Sequence, residues 1–159
     1  MFAQPQKEHE WLQRLIGEWT LEGDADMGPG KPRAKSTGSE RVRSIGGLWI
    51  VCEGQTEMPE MGSGSMIMTL GYDPAKQGYV GTWIGSMMAN LWIYNGSLDS
   101  SGKILTLESE GPNFSDPTKT AKYQDIIEIV DDKTRLLRSR TPMEDGNWHE
   151  FMKVTYRRK

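Results

Sequence analysis

The chain has few of the residues that build covalent cross-links and metal cages. Its 159 residues include one cysteine, Cys52, and two histidines, His9 and His149. A single cysteine excludes an internal disulfide framework. One cysteine and two histidines are also too few for a His/Cys zinc site. We therefore predict neither a metal site nor a bound cofactor.

Long apolar runs and an excess of positive charge are missing as well. No stretch approaches the roughly 18–20 apolar residues of a membrane span, and the first residues lack the basic and apolar segments of a signal peptide. There are 19 basic and 22 acidic side chains, which leave a formal net charge of −3. This balance argues against a nucleic-acid-binding surface. We expect a cytoplasmic protein with no nucleic-acid partner and no membrane span.

Turn-forming residues, by contrast, are abundant and evenly spaced. The chain has 18 glycines and 8 prolines, spread almost throughout. Short segments bounded by turn residues about every 8–12 positions are typical of all-β domains. We predict a single domain over residues 1–159, with a helical segment in 1–17 and about ten strands in 18–159. The predicted strands are Glu18–Met27, Ser39–Ile45, Leu48–Glu57, Ser65–Tyr72, Tyr79–Ser86, Asn90–Leu98, Lys103–Gly111, Thr120–Val130, Thr134–Thr141 and Asn147–Arg158.

The first segment has a helical pattern instead. Trp11, Leu12 and Leu15 fall on one stripe of a short helix, and Gly17 is a plausible C-terminal stop. His9 is expected either in solvent or as a cap of this helix.

The strand pattern also predicts how the sheet closes. Consecutive strands with short connections form an antiparallel meander. A meander of about ten strands would leave two unpaired edges, and closure into an up-and-down barrel removes them. Since eight strands already enclose room for one small ligand, a wider barrel could hold one too. The predicted fold class is therefore all-β: a closed antiparallel up-and-down β-barrel with a short N-terminal α-helix.

Alternation along the strands sorts the side chains into two faces. The lumen wall is predicted to include Trp83, Met66, Met68 and Tyr123. Asp125 and Glu150 fall on otherwise apolar faces, where an ionised carboxylate needs a partner, and Arg140 is one of the available cations. Two interpretations stay open. Either these groups form satisfied ion pairs near the barrel mouth, or they orient the polar end of a ligand in the lumen.

Methionine is frequent, with ten in the chain. Several fall in two neighbouring regions: Met58, Met61, Met66, Met68, Met87 and Met88. Flexible, polarizable methionines suit surfaces that accept varied apolar shapes, although they also serve as ordinary core filling. Cys52 lies mid-strand and is expected to be a small core residue.

The start of the first strand resembles a lipocalin signature. Gly17-Glu18-Trp19 directly follows the short helix, as does the Gly-x-Trp motif of lipocalins. The resemblance implies that Trp19 closes the bottom of the barrel. It also implies that Trp19 stacks on a basic residue of the last strand, either Arg157 or Arg158.

A longer resemblance covers nearly the whole chain. Segments 70–74 (LGYDP), 79–86 (YVGTWIGS), 91–96 (LWIYNG), 110–112 (EGP) and 145–152 (DGNWHEFM), with the opening 9–19, are similar to the uncharacterised bacterial domain-of-unknown-function family 1579. The resemblance implies a calycin-like β-barrel. It implies no reaction and no catalytic residues.

The function predicted from these patterns is binding of a small hydrophobic or amphipathic molecule in the lumen, without catalysis. In that hypothesis Arg140, Glu150 or Asp125 orients a polar end of the ligand. One alternative is a barrel hydrolase or isomerase with Glu150 or Asp125 as general base. Another is an interaction module with a filled core, in which strand faces such as Leu91–Tyr94 and Leu48–Cys52 serve a homodimer.

Overall fold

The computed structural model describes residues 2–59 and 61–159. These residues form one short helix, α1 (Lys7–Gln13), followed by ten strands. The strands are β1 (Gly17–Ala25), β2 (Ala34–Ile45), β3 (Trp49–Met58), β4 (Gly62–Asp73), β5 (Gly78–Gly85), β6 (Trp92–Leu98), β7 (Ile104–Pro112), β8 (Thr120–Ile129), β9 (Thr134–Pro142) and β10 (Trp148–Arg158). No helix among the described residues is both long and apolar enough to cross a membrane.

The sheet closes on itself. Each strand pairs antiparallel with the next strand of the chain, and β1 also pairs with β10, with Trp19 opposite Arg158 and Ala25 opposite Met152. The predicted closed up-and-down barrel is therefore confirmed. Strand β2 begins earlier than its predicted start at Ser39, because residues 34–38 continue the ladder along β1.

An up-and-down barrel has two ends, and here they differ. What we call the closed end carries α1 and the connections 46–48, 74–77, 99–103 and 130–133. The open end carries the connections 26–33, 86–91, 113–119 and 143–147, together with the β3–β4 connection. The side chains of the inner face fill the closed half and leave a space in the open half.

Helix α1 packs its apolar stripe against the closed end. Trp11, Leu12 and Leu15 are buried in the main core cluster, as the spacing predicts. The Nε1 of Trp11 donates a hydrogen bond to the backbone oxygen of Gly102, at 2.6 Å. The hydroxyl of Tyr79 donates to the backbone oxygen of Glu8, at 3.0 Å. Apolar packing and these two bonds hold the helix over the turns of the closed end.

The Gly-x-Trp motif has the structural role that the lipocalin resemblance implies. The Arg158 guanidinium lies 4.2 Å from the centroid of the Trp19 ring, so Arg158 rather than Arg157 is the stacking partner. Arg158 also donates to the backbone oxygen of Arg14, at 2.9 Å. Gly17 has φ 137°, and a Cβ there would lie 2.5 Å from Arg158 Nη1. The glycine therefore leaves room for the arginine that joins the first and last strands to the end of the helix.

A second arginine lies in the core at the same end. Arg135 forms an ion pair with Glu40, and both side chains are almost fully buried. The Arg135 guanidinium lies 3.8 Å from the Tyr156 ring centroid and 4.8 Å from that of Trp19. A buried charge must be paired, and here the carboxylate and the two rings supply the partners.

The thiol and one of the histidines have structural roles. Cys52 is buried in the core as expected, and burial raises the pKa of its thiol, which keeps it protonated. His9 is buried rather than solvent-exposed. It caps the helix, because its Nδ1 accepts the Gln6 N–H at 2.9 Å, while its Nε2 lies 3.0 Å from the backbone oxygen of Tyr72. Neither group is placed to act as a nucleophile or a base.

Candidate functional site

The open half of the barrel encloses a cavity of about 330 Å³. At the closed half, the inward positions carry side chains such as Ile50, Leu70, Leu105 and Leu107, all fully buried. Toward the open end, the same inward rows carry methionine, tryptophan and tyrosine, whose side chains line the cavity. The lumen is thus filled at one end and hollow at the other.

The wall of the cavity is mainly apolar. Trp83, Met66, Met68 and Tyr123 all lie on it, where strand alternation places them. Further methionines line the wall and the mouth: Met58, Met61, Met87, Met88 and Met152. A thioether chain has three rotatable bonds and adapts to different shapes. The methionine-rich regions of the sequence therefore meet around one space.

An aromatic cluster forms one side of the mouth. The Tyr123 ring centroid lies 5.1 Å from Trp92, 5.3 Å from Phe114 and 6.1 Å from Phe151. The Tyr123 hydroxyl donates to the backbone oxygen of Pro112, at 2.6 Å, which fixes the ring. Phe114 is 59 % exposed, so an apolar ring stands at the entrance. This cluster gives the mouth a large apolar surface.

One carboxyl group lies deep on the wall. Asp125, on β8, is held by two neutral hydroxyls: Ser139 Oγ donates to Oδ1 at 2.6 Å, and the Tyr94 hydroxyl donates to Oδ2. Burial raises the pKa of the Asp125 carboxyl, and these two hydrogen bonds only partly offset the effect. Burial and the nearby Asp125 charge raise the pKa of Tyr94 well above its usual range, so its hydroxyl stays a donor.

The structure corrects the placement of Arg140 and Glu150. Both face outward rather than into the lumen. Arg140 donates to Gln124 Oε1 at 2.8 Å and lies over the Trp148 ring, at 4.9 Å. Glu150 is 46 % exposed and pairs with Arg138 at 3.3 Å. Neither side chain can orient a ligand in the cavity, and Glu150 cannot serve there as a general base.

The two wrong predictions have different causes: a bulge in β10 for Glu150, and the mixed polarity of both faces of β9 for Arg140. The pairing of β10 with β9 shifts between Glu150 and Met152, so one extra residue interrupts the ladder. A bulge of this kind reverses the facing of the residues before it, and it brings Phe151 onto the cavity wall. On β9, apolar and charged residues occur on both faces, so hydrophobicity alone does not reveal which way Arg140 points.

Sequence reasoning also missed the partners of Asp125. Tyr94 lies on β6 and Ser139 on β9, and the barrel brings both to one carboxyl group. No short-range pattern links residues 31 and 14 positions away. The pairing of Ser139 opposite Asp125 across β8 and β9 would have required knowledge of the strand register.

The second histidine lies at the open end of the barrel. The Nε2 of His149 is 3.0 Å from Asp26 Oδ2, in the connection after β1. The Asp26 carboxylate also accepts the Gly28 N–H at 2.9 Å, and these bonds lower its pKa. Within residues 2–59 and 61–159, no group of three His, Cys, Asp or Glu side chains is placed to hold a metal ion.

The outer face of β4–β6 carries exposed apolar side chains. Ile67 lies opposite Ile84, Ile93 lies on the next strand, β6, and Leu91 directly precedes that strand. Leu91 and Ile93 are 54 % and 59 % exposed. The apolar character of both faces in this region, evident in the sequence, thus corresponds to cavity wall on one side and open surface on the other.

Fold and cavity together define the class of protein: a closed ten-stranded antiparallel β-barrel, capped by a helix at one end and hollow at the other. The family model described as "Protein of unknown function (DUF1579)" matches residues 4–158. The chain belongs to this family, as the sequence resemblance implies. No curated protein matches the sequence.

Solved structures share the architecture at low sequence identity. The chain is similar to the crystal structure of Rv2717c from M. tuberculosis, with a TM-score of 0.69, 13% identity and coverage of 98% of this chain and 99% of that one. The S-type phycobiliprotein lyase CPES from Guillardia theta has a TM-score of 0.60, 12% identity and coverage of 99% and 98%. The redesigned β-barrel mFAP1, bound to DFHBI, has a TM-score of 0.50, 14% identity and coverage of 92% and 96%. These likenesses establish the fold.

Proposed function

We propose that this protein binds a small, largely apolar molecule in the open half of its barrel. The observation that carries the proposal is the cavity of about 330 Å³ with a predominantly methionine and aromatic wall. Small-molecule sites are concave, mostly apolar and roughly 300–1,000 Å³ in volume, with a few placed polar groups. This cavity meets each of these criteria.

The contrast with the rest of the interior supports a binding role. Protein interiors are close-packed, and voids larger than a water molecule are few. The closed half of this barrel follows that rule, with Ile50, Leu70 and Leu105 at 0 % exposure. Binding of an apolar molecule in a cavity with an apolar wall and an aromatic mouth is favourable, because apolar surface is removed from water.

The architecture is known to accommodate a guest. The barrel mFAP1 is described with DFHBI bound, which makes a ligand in a closed barrel of this kind physically reasonable. The proposal for this chain rests on its own cavity. The cytoplasmic location and the homodimer remain predictions, and the outer face at Leu91 and Ile93 is where a homodimer contact would be sought.

Fluorescence titration with the uncharged dye N-phenyl-1-naphthylamine tests the proposal. We expect saturable enhancement of dye emission, and quenching of tryptophan emission as the dye approaches Trp83 and Trp92. The Trp83→Ala variant, which removes wall area, is expected to weaken binding by about tenfold, equivalent to about 1.4 kcal/mol.

Trp148 provides the matched control, because it is a tryptophan on the outer face, 41 % exposed. The Trp148→Ala variant should bind the dye as the wild type does. Equal losses in the two variants, or a larger loss at Trp148, would place the dye in the depression of the outer surface that Trp148 lines together with Leu91 and Ile93. Absence of saturable binding to the wild type would refute the proposal.

A further inference from the structure

The ionisable side chains on the cavity wall are acidic. Of the described residues on its wall, two are acids, Glu40 and Asp125, and none is lysine, arginine or histidine. The remaining polar side chains there are hydroxyls, such as Ser109 and Ser139. The interior therefore offers an anionic guest no cation with which to pair.

A buried cation lies behind one part of the cavity wall and already has a partner. Arg135 pairs with Glu40, and its guanidinium lies over the rings of Tyr156 and Trp19. Arg135 is not part of the cavity wall, whereas Glu40 and Tyr156 are. Since removing one partner of a buried ion pair costs several kcal/mol, a ligand anion could not recruit Arg135 without leaving Glu40 unpaired. The charge of Glu40 is thus already balanced within the protein.

Asp125 is in a different condition. Among the residues that the structure describes, its two oxygens accept hydrogen bonds only from the neutral hydroxyls of Ser139 and Tyr94. Within the described part of the chain, no lysine, arginine or histidine nitrogen lies within 4.0 Å of its carboxylate. A carboxylate has about four lone-pair sites, so each oxygen can accept a further bond. The burial that raises the pKa of this group makes an added donor favourable.

We propose that the cavity selects molecules with an apolar body and a hydrogen-bond-donating end, neutral or cationic, which docks on Asp125, and that it rejects molecules with an anionic end. This inference rests on the proposed function and specifies its ligand class. Alcohols and amines of suitable size belong to that class, whereas fatty acids and other carboxylates do not. The selection arises because a donor satisfies the buried carboxyl, while a second anion beside it gains no partner and is desolvated.

Calorimetric titration with three matched probes tests the inference: naphthylmethanol, naphthylmethylamine and naphthoate, substituted at the same ring position. We expect the wild type to bind the alcohol and the amine at least about tenfold more tightly than the carboxylate. Binding of naphthoate as tight as that of the alcohol would overturn the inference while leaving the proposed function intact. Absence of binding of all three would refute the proposed function and this inference with it.

Variants assign the preference to Asp125. In Asp125→Asn, which has nearly the same shape, the advantage of the amine over naphthoate should fall to about twofold or less. The control Glu150→Gln removes a carboxylate from the outer face and should keep the full preference. A preference that survives in Asp125→Asn would contradict the assignment.

A second variant covers the case in which Asp125→Asn fails to fold. Ser139→Ala removes one of the two hydroxyl donors and leaves the carboxyl in place, so the preference for a donor end should be kept or widened. If Ser139→Ala instead binds naphthoate as tightly as naphthylmethanol, Asp125 is not the docking group.

Discussion

Tryptophan has opposite roles at the two ends of this barrel. At the closed end, Trp19 is 1 % exposed, its Nε1 donates to the backbone oxygen of Leu15 at 2.9 Å, and two arginines lie over its ring. At the open end, Trp83 faces empty space, and the Nε1 of Trp92 reaches the Met88 sulfur at 3.0 Å. The same residue type therefore stabilises the fold at one end and shapes a cavity at the other.

The comparison extends to charge. Glu40, which lies beside Trp19, has an arginine partner, whereas Asp125, on the cavity wall, is hydrogen-bonded among the described residues only by hydroxyls. The ion pair of Glu40 stabilises the fold. The carboxylate of Asp125, which is held by neutral donors, can still accept a hydrogen bond from a ligand. We expect mutations at the closed end to change the free energy of unfolding, and mutations at the open end to change ligand affinity.

Removing the closed-end tryptophan should have the largest effect on stability. Trp19→Ala deletes a fully buried ring together with its cation–π partners and its hydrogen bond, so we expect a loss of about 4 kcal/mol in the free energy of unfolding. Urea denaturation followed by circular dichroism measures it. Trp83→Ala is the matched control and should cost clearly less, because Trp83 faces the cavity. Equal losses in the free energy of unfolding would contradict the claim that tryptophan stabilises the fold mainly at the closed end.

Breaking the buried ion pair should be nearly as damaging. Glu40→Gln leaves the Arg135 charge buried without a carboxylate, for which we expect a loss of about 3 kcal/mol. The double variant Glu40→Met with Arg135→Met removes both charges and should be more stable than Glu40→Gln. A double variant that is less stable than Glu40→Gln would show that the cation–π contacts of Arg135 outweigh the pairing.

Asp125→Asn should change the pH dependence of stability rather than fold integrity. The pKa of Asp125 is raised in the folded state, so the folded protein holds a proton that the unfolded chain releases. Wild-type stability from this group therefore falls as pH rises from about 4 through the folded pKa. Asparagine does not titrate, so the variant should gain stability relative to the wild type over that range. Urea denaturation at several pH values measures the free energy of unfolding of the variant minus that of the wild type. If this difference stayed constant or fell as the pH rose, it would contradict the raised pKa.

The smallest effect is expected on the outer face. Glu150 and Arg138 form a partly exposed pair, and such pairs contribute between zero and about 1 kcal/mol. Glu150→Gln should therefore cost less than about 1 kcal/mol and leave dye affinity unchanged. A marked loss of dye affinity in this variant would indicate that Glu150 reaches the cavity after all.

Sequence patterns predicted the barrel because the signals for it are local. Glycine and proline turns mark the strand ends, and the position of Trp19 after Gly17 identifies the closed end. Asp125 could be placed correctly because Ile127 and Ile129 define the inward face of β8. Glu150 could not, because the bulge that follows it alters the alternation by one residue.

Other features depend on register between distant strands. Glu40 and Arg135 are 95 residues apart, and their pairing follows from the way β1 joins β2 to β10 and β9. The hollow itself depends on side-chain volumes across the whole lumen. Strand count predicted that a lumen exists, but only the packed structure reveals that one half of it is filled.

Methionine-methyl NMR tests the central claim most directly. With carbon-13-labelled methionine methyl groups, titration with naphthylmethanol should shift the signals of Met66, Met68 and Met152, which line the cavity. The signals of Met27 and Met143, which are exposed and lie off the cavity wall, should not move. Saturable shifts confined to the first set would support binding inside the open half of the barrel. Unchanged cavity methionines, or equal shifts in both sets, would contradict it.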